Sequence, residues 1–367
     1  MLRHTLCYTY HLFYYKTFSI ICYNQFLQKG SFVLMRYLYF TLIFSFFSFS
    51  QADEERYQLG KGLQIGSLPL YIGSYFSLVY EHIDEKDPSL TLDDVAIMLY
   101  GEYSHFSYML ELEAEDLYHK VLGGRESREP KEHLHMERFY VDYEFDDHSM
   151  LRMGKQNSPI GFWNLNPINV LRDTSSSPTI VEQLFPLLTS GVVFGYTQEE
   201  QMRTRIDLIA QESEDIEKAI HSDIYNNFDL NRHYGVGITL QENAMSCKAS
   251  GGYFRTIADE EYTYLLAAFK YQEDNFKLQG EIGRQFSKER STIPYIGYLQ
   301  YSQYFEHKHE AIIRVESYHN RVEDRSDNFI VLGYTYRPLY PIALKGEYQW
   351  HTYEQENKIL FSLSVLF

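Results

Sequence analysis

The residues of this chain that could do covalent chemistry are few. His148-Ser149 sets a base beside a hydroxyl, but no third member stands near them and no Gly-x-Ser-x-Gly occurs, so a solvated turn is expected rather than a nucleophile. Glu132, His133, His135 and Glu137 alternate, which puts His133 and His135 on one face of an extended strand where a metal could bind; histidines of a polar rim are the commoner outcome. His307, His309 and Glu310 carry no stronger signal. No catalytic residue, metal or cofactor is expected. What recurs is charge opposite apolar neighbours: the acids Glu111, Glu113, Asp142, Glu144, Asp207, Glu281, Glu316 and Glu347, and the bases Arg138, Arg152, Arg205, Lys248, Lys277, Arg314 and Lys345. Facing rows of fixed charge make a transverse field that favours polar solutes and sets ion preference. Salt bridges that merely stiffen a wall are the alternative for any one of them.

The elements that could position such rows are strands. Downstream of Asp53, period-2 alternation runs in blocks of about ten residues, the length with which a tilted strand crosses a bilayer. In the last block Ile359, Phe361, Leu363, Val365 and Phe367 share one face, with Lys358, Ser362 and Ser364 on the other. In the block before it Ile342, Leu344, Tyr348 and Trp350 oppose Lys345, Glu347, Gln349 and His351. Strands are expected near 72–83, 92–102, 104–114, 134–145, 149–156, 189–198, 203–212, 232–242, 247–257, 262–272, 275–286, 294–303, 308–318, 328–337, 341–351 and 357–367. That even number suits an all-β fold, a transmembrane antiparallel β-barrel of about 16 strands with short turns at one end and longer loops at the other. A soluble sandwich or propeller also alternates. An export signal, a strand running to the last residue and aromatic residues near strand ends count against it.

Composition agrees. Tyrosine (34) and phenylalanine (25) dominate an aromatic fraction of 17%, and aromatic residues favour strands and membrane interfaces. Mean hydropathy of -0.37 argues against a helical membrane bundle. Net charge is -17, and the first 52 residues hold Arg3, Lys16, Lys29 and Arg36 but no acid, leaving -21 for the remainder, so nucleic acid is not an expected partner. Only Cys247 lies beyond residue 52, which leaves no disulfide framework. Met35-Arg36, the apolar run Tyr37 to Phe49 and Ser50-Gln51-Ala52 have the order of a signal peptide over 35–52, cleaved after Ala52. Residues 1–34 read as an upstream extension before the initiator Met35, with a long signal from Met1 as the alternative. Residues 53–367 are then the barrel.

Two segments resemble the Gram-negative outer-membrane porin superfamily. The terminal Ile359-x-Phe361-x-Leu363-x-Val365-x-Phe367 pattern is similar to the signal by which barrel-assembly machinery recognises its clients, and Phe361, Leu363, Val365 and Phe367 would carry it. Arg152-Met153-Gly154-Lys155-Gln156-Asn157-Ser158-Pro159-Ile160-Gly161-Phe162-Trp163-Asn164 resembles the strand that leads into the porin constriction loop. The resemblance, over Gly62 to Phe367, implies a bacterial outer-membrane location, contact with lipid and lipopolysaccharide, a possible homotrimer and a passive diffusion channel. It also implies that the long connector Asn157 to Leu188 folds inward. That connector holds Pro159, Pro167, Pro178 and Pro186, much apolar surface, and as its only ions Arg172, Asp173 and Glu182, the expected constriction residues. Near-even wall charge and an acidic chain predict weak cation preference. A substrate-specific channel or binding barrel is the first alternative, an outer-membrane hydrolase the second. The acidic run Glu212 to Glu217 reads as solvated, with cation bridges to lipopolysaccharide as a variant.

Overall fold

The computed structural model describes residues 57–66, 69–123, 133–219, 226–288, 290–352 and 357–367; the upstream extension, the signal peptide and its cleavage point lie outside them. The chain divides after Tyr57, and the barrel belongs to the unit Gln58–Phe367. Its sixteen antiparallel strands are β1 (Leu70–Ile83), β2 (Ser89–Tyr103), β3 (Phe106–Glu115), β4 (His133–Glu144), β5 (Ser149–Asn157), β6 (Leu188–Glu199), β7 (Arg203–Gln211) and β8 (Leu230–Glu242). They continue as β9 (Met245–Thr256), β10 (Glu261–Gln272), β11 (Phe276–Ser287), β12 (Arg290–Phe305), β13 (His309–Asn320), β14 (Arg325–Leu339), β15 (Ile342–His351) and β16 (Lys358–Leu366). Each strand pairs with its sequence neighbours. β16 returns to β1 in register from Lys358↔Ile83 to Leu366↔Tyr75, so the sheet closes on itself. Short strands at Gly62–Gln64 and Tyr118–Val121 extend the sheet beside β1 and β2.

Number and order of strands match the alternation, and the ends differ by a few residues. Turns at one rim are short throughout, for example 104–105, 243–244 and 306–308. Several use left-handed residues, Ser104, Asn243, Glu306 and His307 among them, as tight hairpins require. Connectors at the other rim are long at 158–187 and 212–229 but shrink to 257–260 and 321–324 in the second half.

Along β15, Leu344, Tyr348 and Trp350 are exposed on the outer face while Lys345, Glu347, Gln349 and His351 are buried inside. The same parity holds on β11, where Ile282 is 62% exposed between the buried Glu281 and Gly283. Aromatic residues mark the short-turn rim in contacting groups: Tyr143 with Phe106 and Phe145, and Phe276 with Tyr271 and Tyr301. Amphipathic rings settle at bilayer interfaces, and an apolar outer band between rims of rings is the surface a lipid-spanning barrel presents.

The interior is not uniformly polar. Ile180, Val181, Leu184 and Phe185 of the 158–187 connector pack against Phe254, Tyr264, Leu266, Ile293, Ile296 and Val331 of the wall, and Val170 packs against Tyr75, Met98, Ala343 and Leu366. Alternation also breaks where strands carry an extra residue. Pairing slips on β2 opposite Tyr75/Ser77 and on β4 opposite Glu111/Leu112. On β5, Gly154 has φ +129°, and the consecutive Lys155 and Gln156 are both buried.

A Cβ on Gly154 would stand 2.0 Å from the Phe139 carbonyl oxygen. Gly154→Ala is therefore expected to cost on the order of 1–3 kcal/mol through strain at this backbone position. The check is the temperature at which the detergent-folded barrel loses its fast, unboiled electrophoretic mobility, which should fall for the variant.

Candidate pore constriction

The 158–187 connector joins two adjacent strands, β5 and β6, yet its hydrogen bonds reach β11 to β16 on their buried, inner-face side chains. The connector is thus tied to the wall by side chains of six strands. Its neck closes where Ser158 N–H donates to the Leu187 carbonyl (2.8 Å) and Asn164 Nδ2 donates to the carbonyls of Ser158 (2.8 Å) and Leu187 (3.0 Å). Oε1 of Glu281 then accepts the N–H groups of Phe162 and Trp163, each at 2.9 Å. Gly161 permits this approach: it has φ +66°, and a Cβ there would lie 2.3 Å from Glu281 Oε2. Trp163 meets Tyr298 edge-on at 6.1 Å.

Further along, the wall bases hold the connector by its carbonyls and hydroxyls. Lys345 Nζ donates to the Asn169 carbonyl (2.6 Å), Asn169 Oδ1 (2.9 Å) and the Thr174 carbonyl (3.2 Å). Arg314 donates to Thr174 Oγ1 (2.7 Å), Ser176 Oγ (2.8 Å) and, through Nε, Glu316 Oε1 (2.7 Å). The wall acids take its donors: Ser176 Oγ donates to Glu347 Oε2 (2.6 Å) and Thr179 N–H to Glu316 Oε2 (2.8 Å). That last bond places a carboxylate at the start of the short helix α1 (Thr179–Gln183), whose N-cap Pro178 offers no side-chain acceptor. Arg314, Glu316, Lys345 and Glu347 thus face inward but touch the connector, each 4% exposed or less.

The three connector ions part company. Asp173 is bonded to Lys277 (2.6 Å), while its carbonyl accepts Thr335 Oγ1 (2.6 Å). Burial pushes the Asp173 carboxyl up, but Lys277, Lys345 and Arg337 outweigh it and hold the group below the usual carboxylate range. Arg172 donates to the Asn166 carbonyl (2.9 Å) and Ser177 Oγ (3.2 Å). Glu182 keeps its side chain in contact with solvent. Desolvation by the surrounding protein, then repulsion from Glu316, pushes its pKa up to about 7 against Lys358, Arg314 and Arg172.

On the opposite wall the charges pair with one another. Arg138 bonds Glu111, Arg152 grips Asp142 through two nitrogens at 2.6 and 2.7 Å, and Arg205 meets Asp207 at 2.9 Å. Glu113 is buried and accepts from Tyr75 Oη at 2.9 Å, whereas Glu144 is exposed at the short-turn rim. The acidic run 212–217 departs from its expected solvation: Asp215 and Glu217 are buried against Lys155 at 3.6 and 2.6 Å, and Glu217 also accepts the Met136 N–H. Their carboxylates satisfy a lysine that is fully buried. His148 gives a ring nitrogen to the Thr197 carbonyl (3.0 Å), and Asp146 caps the N–H groups of His148 and Ser149. Phe361, Leu363, Val365 and Phe367 lie in or at the end of the closing strand, where Phe367 N–H donates to the Ser74 carbonyl (2.7 Å) and its ring stacks on Phe76 at 5.9 Å.

Several partners escaped the sequence. Arg337 donates to the Arg172 carbonyl (2.7 Å), and Asn227 of the 212–229 connector donates to the Phe185 carbonyl (2.8 Å) while its Oδ1 accepts the Leu187 N–H (2.9 Å). Arg337 was findable, because the parity that turns Thr335 inward turns it inward too. Asn226 and Asn227 follow no periodic signal.

No family model matches the chain. A protein of Aquifex aeolicus (strain VF5), described as uncharacterized, is 32% identical over 132 residues, 35% of this chain; the match spans only about a quarter (26%) of that relative's length. Among solved structures, OmpF of Salmonella typhi is 10% identical with a TM-score of 0.58, over 81% of this chain and 97% of its own. The outer membrane channel DcaP of Acinetobacter baumannii is 10% identical with a TM-score of 0.57, over 84% and 100%. The trimer form of OmpT, an outer membrane protein of Vibrio cholerae, is 9% identical with a TM-score of 0.56, over 81% and 99%. At such identities the likeness is one of fold: the chain shares the closed antiparallel β-barrel of these outer-membrane proteins.

Proposed function

We propose that the chain is an outer-membrane porin, a passive diffusion channel for ions and small hydrophilic solutes, and not an enzyme. The observation that carries this reading is the pairing of a closed cylinder, apolar outside, with a connector bonded across its inner wall: such a connector narrows a lumen without sealing a membrane face. Lipopolysaccharide and outer-membrane lipid would contact the outer band, the barrel-assembly machinery would read the last strand, and a homotrimer is the assembly we infer, OmpT being a neighbour described in a trimer form. The current test is a planar bilayer: the refolded protein is expected to give discrete, steady single-channel steps. Silence from a correctly folded sample would overturn the reading. Current blocked by one solute would favour the specific channel, and ester or lipid cleavage without current the hydrolase.

Weak cation preference follows from which charges are left over. The wall bases Arg138, Arg152, Arg205, Lys277 and Arg314 are each paired with an acid, and Lys345 is bonded to the connector at Asn169 and Thr174. Among the described residues this leaves Lys248 without an acid partner, against Asp94, Glu113, Glu137 and Glu182, which form no ion pair with a lysine or arginine. In a salt gradient the reversal potential should take the cation-selective sign. Glu182 titrates near neutrality, so its charge, and with it the preference for cations, should grow as pH rises from about 6 to about 8. Glu182→Gln should flatten that rise, and a reversal potential whose pH dependence is the same in both proteins would rule out Glu182 as its source.

The anchors predict a second effect. Arg314→Met with Lys345→Met removes the ties to Thr174, Ser176 and Asn169. Single-channel current should become noisier and its mean larger, with the folded fraction retained because the β-ladder is untouched. Unchanged noise and conductance would mean that the connector does not set the constriction.

A further inference from the structure

Two strand irregularities converge on one point of the inner wall. On β2 the register with β1 slips between Ala96 and Asp93, and Asp94 occupies the extra position with φ +48°. On β4 the register with β3 slips between Arg138 and Met136, and Glu137 is the extra residue. A bulge re-aims a side chain at the cost of ladder pairing, and bulges gather beside functional sites. Here both added residues are acids, and both reach Glu113 on the strand between them. His135, directly opposite Glu113 in register, completes the group. One donor atom from each of Glu113, His135 and Glu137 lies within 4.8 Å of the other two, and all three residues are buried.

The neighbours do not neutralise this cluster. Tyr75 Oη stands 2.7 Å from Glu111 Oε1 and 2.9 Å from Glu113 Oε2, but a hydroxyl has a single proton to give. Arg138 is committed to Glu111, and Arg172 acts on Asp94 from the connector while bonded to Asn166 and Ser177. Glu137 Oε2 has no hydrogen-bond partner although its side chain is only 9% exposed. It lies 3.6 Å from His135 Nε2, too far for a hydrogen bond but close to the roughly 3.4 Å that separates two ligands of one ion held at about 2.1 Å.

We propose that Glu113, His135 and Glu137 form a binding site for one first-row divalent transition-metal ion, with Asp94 placed to supply a fourth oxygen. Imidazole with carboxylates is a set that suits zinc, cobalt or manganese, whereas calcium and magnesium take all-oxygen shells. The ion would supply the positive charge the cluster lacks and would tie β2, β3 and β4 together. The site goes beyond the diffusion reading and holds whether or not the barrel conducts. It also revises the expectation of rim histidines, because Glu137 shares the inner face with His135 by alternation, and the bulge leaves its carboxylate without a partner opposite it in the ladder.

The test uses the full refolded barrel in detergent, stripped with chelator and titrated with Zn2+ in a calorimeter. One equivalent should bind, and His135→Gln and Glu137→Gln should each weaken that binding by at least about tenfold, while His319→Gln, remote from the site, should not. Absence of binding to the parent protein, or equal binding in His135→Gln, would overturn the proposal. Should a variant fail to fold, zinc-edge X-ray absorption of the loaded parent decides: oxygen and nitrogen ligands with one imidazole support the site, and a sulfur ligand from Cys247 or several imidazoles contradict it.

Discussion

The constraint on which everything else rests is the closure of β16 on β1. In hydrocarbon there is no water to satisfy a strand edge, so each unpaired N–H or C=O would cost several kcal/mol. Nine registered pairs, from Lys358↔Ile83 to Leu366↔Tyr75, remove that edge. Once the cylinder is closed, its period-2 pleat fixes two solvents: lipid for Leu332, Leu344 and Phe361, and an enclosed interior for Val331, Lys345 and Ser362. The connector, the charge pairs and the acidic cluster are consequences of what that interior must accommodate.

Charges inside a narrow cylinder are expensive unless partnered, and the chain partners them in two ways. Between β3 and β7 they pair across or along strands, as in Arg138 with Glu111 and Arg205 with Asp207. Between β11 and β15 they bind the connector instead, with Glu281, Arg314, Lys345 and Glu347 saturating its N–H groups, carbonyls and hydroxyls. The connector in turn buries Phe185 and Leu184 against the wall. A segment without long secondary structure is thereby given one position, because its backbone polar groups find fixed partners and its apolar ones a fixed surface.

Much of this was legible in the residues. Ile359 to Phe367 and Ile342 to His351 announce their faces by strict alternation, and the strand number follows. The inward direction of Glu281, Arg314 and Glu347 is read the same way, but their partners are not: nothing in the spacing says that Ser176 or Phe162 will meet them from a connector more than a hundred residues away. Alternation also misleads wherever the backbone slips. Asp94 and Glu137 occupy bulges, and Gly154 bends β5 so that Lys155 and Gln156 are buried in succession; each depends on local dihedrals rather than on hydrophobic period. The burial of Asp215 and Glu217 in the 212–229 connector depends on Lys155, a partner on β5.

The two-solvent wall is tested most directly by a spin-label scan along β14. In a Cys247→Ser background, single cysteines at successive positions 329 to 336 of the bilayer-reconstituted protein carry a nitroxide whose collisions with oxygen and with a water-soluble nickel chelate are measured. Oxygen accessibility should peak at Ile330, Leu332 and Tyr334 and fall at Val331, Gly333 and Thr335, a period of two residues. Chelate accessibility at Leu332 and Tyr334 equal to that of an exposed loop position would contradict a lipid-facing outer wall.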